Sequence, residues 1–84
     1  MSYRVRLHPN VARFLRKSPS DVQSRIKKKL QDIREDPFHY LGHYEREDVY
    51  KLRIGDYRAL IDVDTERKTL FVQVLDRRER IYRR

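Results

Sequence analysis

Residues 49–62 alternate between apolar and charged side chains on both sides of Gly55-Asp56, and this pattern sets what the chain can fold into. It reads as a β-hairpin. A Gly-X pair suits a two-residue type II′ turn, and period-two alternation suits half-buried strands. With Gly55 and Asp56 as the loop, Ile54 faces Tyr57, Arg53 faces Arg58 and Lys51 faces Leu60. One face then carries Tyr50, Leu52, Ile54, Tyr57, Ala59 and Ile61, which is a core face. The other carries Val49, Lys51, Arg53, Arg58, Leu60 and Asp62. Like charges directly opposite each other destabilise a sheet. Aligning Arg53 with Arg58, with Lys51 nearby, therefore suits a surface that holds an anion. By the same reasoning, Arg58→Ala is expected to stabilise the free domain slightly.

Eighty-four residues make one domain, near the small end of what folds alone. Charged residues are 40% and hydrophobic ones 38%, so the core must be compact. The apolar positions are periodic, which argues for folding rather than disorder. A net charge of +8 implies a polyanionic partner: RNA, DNA, an anionic membrane or an acidic protein. The absence of cysteine excludes a disulfide frame and any Cys-based metal site. Met1-Ser2-Tyr3-Arg4 opens a short amphipathic strand with no apolar segment behind it, and no stretch approaches the ~18 apolar residues of a membrane span. A cytoplasmic domain, monomeric or in a small complex, is the expectation.

Tyr3, Val5 and Leu7 alternate with Arg4, Arg6 and His8, a half-buried strand that Pro9 stops. Pro9 can open a helix, where its missing N–H costs nothing. Val11, Phe14 and Leu15 give that helix its apolar stripe. Ser18-Pro19-Ser20-Asp21 resembles a capping box, with Ser18 as N-cap and Asp21 at the third position. Val22, Ile26, Leu30 and Ile33 form the stripe of a second helix, which ends before Pro37. Residues 37–47 read as a loop. After the hairpin, a turn near residues 64–68 leads to a last strand. There Leu70, Val72 and Val74 oppose Phe71, Gln73 and Leu75, and a basic tail runs from Asp76 to Arg84. The order is β-α-α-β-β-β: an α+β domain whose two N-terminal helices pack on one face of a small antiparallel sheet. The hairpin cations point to the other face.

The segments Val49-Tyr50-Lys51-Leu52-Arg53, Gly55-Asp56-Tyr57-Arg58 and Leu75-Asp76-Arg77-Arg78-Glu79-Arg80-Ile81-Tyr82 carry a family pattern. It is a basic strand, a Gly-x-Tyr-Arg start to the next strand, and a basic stretch ending in tyrosine. In these segments, and in element order and length, the whole chain resembles the RelE/ParE superfamily of toxin–antitoxin toxins, the RelE-like branch more than the ParE-like one. The resemblance implies a ribosome-dependent endoribonuclease that enters the ribosomal A site and cuts mRNA there without metal or other cofactor. It also implies silencing by a cognate antitoxin, small, acidic and RelB-like, that wraps the toxin in an oligomeric complex. Carried over by position, Lys51 and Arg53 match the two basic strand positions and Arg58 the arginine of Gly-x-Tyr-Arg. Arg78 matches the arginine after the last strand, and Tyr82 the terminal tyrosine. Arg53 stands where the best-known bacterial members have lysine, and the tail is shorter than theirs.

RNA cleavage without metal uses the 2′-OH against its own 3′ phosphate. It needs a base, an acid for the 5′ leaving oxygen, and cations for the charge on the phosphorane. A crowd of cations disfavours a charged lysine and favours a tyrosine anion, so either residue type can serve as base there. The roles expected are Tyr82 or Lys51 as base, Arg78 as acid or leaving-oxygen stabiliser, and Arg53 and Arg58 as transition-state cations. Arginine's planar fork matches phosphate oxygens. The competing account of Lys51, Arg53 and Arg58 is a solvated face salted by Asp62 and Glu47; that of Tyr82 is an aromatic packed on the sheet.

Arg77, Arg80, Arg83 and Arg84 are expected to contact RNA backbone, with a frayed basic tail as the alternative. Lys27 and Lys28, with Arg25 and Lys29, either grip rRNA phosphates or form a solvated helix face. His39 and His43 lie four apart in one loop with nothing to bring them together, so a histidine-based nuclease is not favoured. No carboxylate or Cys/His cluster has metal-ligand spacing. A ParE-like inhibitor of DNA gyrase, or an inactive basic domain that binds RNA or an antitoxin, are the other functions compatible with the fold.

Overall fold

The computed structural model describes residues 2–43 and 49–77. Its elements are β1 (Arg4–Leu7), α1 (Pro9–Lys17), α2 (Ser20–Glu35), α3 (Pro37–Tyr40), β2 (Gly42–His43), β3 (Val49–Ile54), β4 (Tyr57–Asp64) and β5 (Thr69–Arg77). Among the described residues the strands form one five-stranded sheet in the order β1-β5-β4-β3-β2.

The hairpin register is the expected one: Ile54 pairs with Tyr57, Arg53 with Arg58, Leu52 with Ala59 and Lys51 with Leu60. Gly55 adopts φ +57, the left-handed value that the first position of a type II′ turn requires. Leu52, Ile54, Ala59 and Ile61 are buried and Tyr50 and Tyr57 half-buried, so the assigned face is the core face.

α1 and α2 pack on that face. Pro9 stands at the helix start, and the His8 Nδ1 accepts a hydrogen bond from the Asn10 N–H at 3.1 Å, capping it. Val11 and Leu15 of α1 and Ile26, Leu30 and Ile33 of α2 enter the core. Phe14 meets Tyr57 edge to face, with ring centroids 5.9 Å apart. Burying side chains as large as Ile33 or Ile61 stabilises the domain by about 1.5–3 kcal/mol each. The end of α2 is tied twice to Tyr3, the residue just before β1. The Tyr3 N–H donates to the Arg34 carbonyl at 2.8 Å, and the Arg34 Nε donates to the Tyr3 carbonyl at 2.8 Å.

Four expectations need correction. The sheet is mixed rather than antiparallel, because β1 runs parallel to β5, with Arg4 beside Thr69 and Leu7 beside Val72. Period-two alternation assigns side chains to faces but says nothing of strand direction. Ser18 is not the N-cap of α2. Pro19 holds that position without a side-chain bond, and the Ser18 hydroxyl donates to the Phe14 carbonyl at 2.7 Å, closing α1 instead. Where two helices abut, one serine can serve only one end. Residues 37–47 are not all loop. Pro37 opens the single turn of α3, and β2 adds to the sheet edge, with Gly42 beside Lys51 and His43 beside Tyr50.

The fourth correction lies in β5. Leu60 pairs with Val74 but Ile61 with Val72, so Gln73 is an extra residue at a β-bulge. The bulge inverts the alternation. Leu75 is buried in the core, while Val74 moves to the opposite face and is only half-buried. The strand also continues through Asp76 and Arg77, which the alternation alone assigns to the tail.

Candidate functional site

Lys51, Arg53 and Arg58 project from the face of the sheet opposite the helices. Arg53 is exposed; Lys51 and Arg58 are half-buried. Lys51 and Arg53 are two residues apart on β3, which spaces them about 7 Å along the strand. Arg58 lies on the adjacent central strand, directly opposite Arg53. On its other side Arg58 faces Asp76 of β5. Asp76 is buried, and its Oδ1 accepts the Arg77 N–H at 2.7 Å. The three strands thus carry a row Arg53–Arg58–Asp76, with Lys51 two residues back along β3, where β2 pairs with it.

Two glycines lie beside this arrangement. A Cβ on Gly42 would lie 3.6 Å from the Lys51 Cε, so the lysine stem runs along the bare backbone of β2. Gly55 sets the turn that fixes the Arg53–Arg58 register, and the Arg25 guanidinium lies over it, 3.1 Å from where a Cβ would stand.

Of the two acids expected to salt this face, Asp62 is away from the row, and among the described residues Asp76 stands in it. Asp62 pairs with Val49 and Phe71, at the far end of the hairpin from Arg53 and Arg58. Asp64 accepts the Arg67 N–H at 3.0 Å and closes the β4–β5 turn. Asp76 holds the place opposite Arg58. Assigning Asp76 to a tail misses this role, although a carboxylate one step beyond the last apolar strand position is the available signal.

The remaining candidate residues divide. Arg78, Tyr82, Arg80, Arg83 and Arg84 lie outside the described residues, as do Glu47 and the side chain of His43. Arg77 pairs with Tyr57 and lines a cleft with Arg13, Phe14 and Lys17 of α1, so it belongs to the helix side rather than to the row. Lys27 and Lys28 part company. Lys27 lines an apolar groove beside β1 with Leu7, Leu15 and Leu30, whereas Lys28 lines a cleft between α2 and β3 with Arg25, Lys29 and Arg53. His39 stacks edge-on against Tyr40, with centroids 4.8 Å apart.

Chemically, the guanidiniums of Arg53 and Arg58 and the ammonium of Lys51 are cations of the kind that pair with phosphate oxygens. Among the described residues, no three His, Cys, Asp or Glu side chains gather to hold a metal ion. None of the described helices is long and apolar enough to cross a membrane.

The sequence profile of the ParE toxin of the type II toxin–antitoxin system, parDE, matches residues 5–81. No curated protein sequence matches the chain significantly. Several solved structures share the fold. The toxin–antitoxin complex RelBE2 of Mycobacterium tuberculosis aligns at a TM-score of 0.82 and 26% identity, over 93% of this chain and 100% of that one. The archaeal RelE–RelB complex of Pyrococcus horikoshii aligns at a TM-score of 0.80 and 25% identity, over 95% and 99%. The isolated RelE toxin of E. coli aligns at a TM-score of 0.80 and 25% identity, over 98% and 93%.

Proposed function

The chain belongs to the ParE toxin family of type II toxin–antitoxin systems, and from that premise we propose that it is a ribosome-dependent mRNA endoribonuclease held silent by a cognate antitoxin. The observation that carries this reading is the cationic row on the open face of the sheet: Arg53 against Arg58, with Lys51 beside them. The likeness to RelE toxins at 25–28% identity supports the nuclease branch of the fold. Solved relatives occur in complex with RelB-type antitoxins, and a small acidic protein of that kind is the proposed partner here.

The reaction follows from the chemistry of RNA. A base, Lys51 or Tyr82, takes the proton of a 2′-OH. The freed oxygen attacks the adjacent phosphorus, and the bond to the 5′ oxygen breaks as Arg78 protonates or stabilises it. The products are a 2′,3′-cyclic phosphate and a 5′-OH. Charge builds on the non-bridging oxygens of the phosphorane, where the forks of Arg53 and Arg58 hold it. Arg58 acts from the central strand, held between its two neighbours, so little reorganisation is needed at the moment of reaction.

The ParE profile match favours a second reading, in which the protein binds and blocks DNA gyrase without cutting nucleic acid. Expression of the chain alone in growing bacteria tests the toxin and separates the two. Growth arrest with an immediate fall in protein synthesis, relieved by a co-expressed small acidic partner, supports the nuclease. Arrest with inhibited supercoiling and continuing translation supports the gyrase reading. Normal growth with confirmed expression contradicts both.

A further inference from the structure

The cleft between α2 and the β3–β4 turn meets the row on the sheet face at Arg53. It is an open volume of about 420 Å³, and among the described residues its lining includes Arg25, Lys28, Lys29 and Arg53 against a single acid, Asp32. Asp32 is 4.0 Å from the Lys28 Nζ, an exposed pair that neutralises little of the local charge. Arg25 and Lys29 are four apart on α2, where like charges repel across one turn. The Arg25 guanidinium lies over Gly55. Beside the cleft, the Lys29 Nζ sits 5.0 Å from the centre of the Tyr40 ring, and Tyr40 is 38% exposed. Arg53 belongs both to this cleft and to the row, so the two positive surfaces are continuous around the edge of β3.

We propose that this cleft binds the single-stranded RNA that flanks the scissile bond, with backbone phosphates on Arg25, Lys28 and Lys29 and an unpaired base against Tyr40. The inference rests on the nuclease reading for its choice of strand. Cations that track a backbone beside an exposed aromatic ring are the combination that holds unpaired nucleic acid. An acidic protein segment fits less well. Such a segment needs apolar surface to bury, and Ile54, the hydrophobic lining residue of the cleft, is already 3% exposed. Apolar lining of that kind lies in the groove beside β1, around Val5, Leu7, Leu15 and Leu30.

The test is fluorescence anisotropy of the full chain with a labelled single-stranded RNA of about 12 nucleotides, fully 2′-O-methylated so that it cannot be cut. The variants are Lys28→Ala with Lys29→Ala, Tyr40→Ala and Tyr40→Phe, all folded by circular dichroism. The double variant weakens binding and lowers the slope of log K against log salt by about 0.7 for each phosphate no longer neutralised. Tyr40→Ala weakens binding roughly five- to hundredfold with the slope unchanged, and Tyr40→Phe restores it. Unchanged affinity and slope in the double variant overturn the proposal. So does weakened affinity for an acidic antitoxin peptide with RNA binding intact, which assigns the cleft to a protein. A wild-type chain that shows these slopes yet never cuts mRNA on ribosomes removes the nuclease reading and leaves the cleft an RNA surface.

Discussion

Arg58 and Asp76 face each other across β4 and β5, the cation half-buried and the carboxylate buried. Two arginines side by side on β3 and β4 are tolerated because this acid stands on the third strand. The pairing also reverses the expectation that Arg58→Ala stabilises the domain. That change leaves a buried carboxylate without its cross-strand neighbour and should lower stability. Asp76→Ala, which also removes the acceptor of the Arg77 N–H, should cost about 1–3 kcal/mol. Urea denaturation of both variants checks the sign; a rise in midpoint for either contradicts it.

The cations of the row should matter for rate more than for binding. Losing one donor to transition-state charge costs roughly 10²–10³ in rate. Arg58→Ala and Arg78→Ala should each show that loss in mRNA cleavage while co-sedimentation with ribosomes largely persists. Arg53→Lys should be milder, since it keeps the charge and loses only the bidentate fork. A double variant that stops growth at wild-type potency contradicts the site.

Gly55→Ala should destabilise the hairpin by about 1–2 kcal/mol, the cost of a left-handed backbone for a residue with a Cβ. The same Cβ would press on the Arg25 guanidinium. Gly42→Ala meets the Lys51 stem only at ordinary van der Waals distance and should leave the fold intact. Comparing the two denaturation midpoints tests whether turn conformation, rather than glycine content, fixes the register of the row.

Ile33→Ala should cost about 2–5 kcal/mol, because the side chain is fully enclosed between α2 and the sheet. In a domain this small, that is a large share of total stability. Thermal unfolding followed by circular dichroism reads the effect, and a near-neutral result contradicts the packing described.

Much of this fold is legible in the sequence because it rests on local rules. Gly55-Asp56 and period-two alternation give the register that sets Arg53 against Arg58. The stripe of Ile26, Leu30 and Ile33 gives α2 its buried face. What is not legible depends on distant partners. The bulge at Gln73 exists only relative to β4, so the inversion that buries Leu75 and turns Asp76 toward Arg58 leaves no trace in alternation alone. The direction of β1 depends on where two helices return the chain. Lys27 and Lys28, adjacent in sequence, part because a helix turns about 100° between neighbours, sending one to the β1 groove and the other to the α2–β3 cleft.

The proposed function requires the chain to cut mRNA through the 2′-OH with its outer-face cations. The most direct measurement is the chemical state of mRNA ends after the purified chain acts on programmed ribosomes, beside the Arg58→Ala variant and a message carrying one 2′-deoxynucleotide in the A-site codon. The expected result is a 2′,3′-cyclic phosphate at the new 3′ end, little product from the variant, and no cut at the 2′-deoxy position. Intact mRNA under conditions where the wild-type chain arrests growth would contradict it.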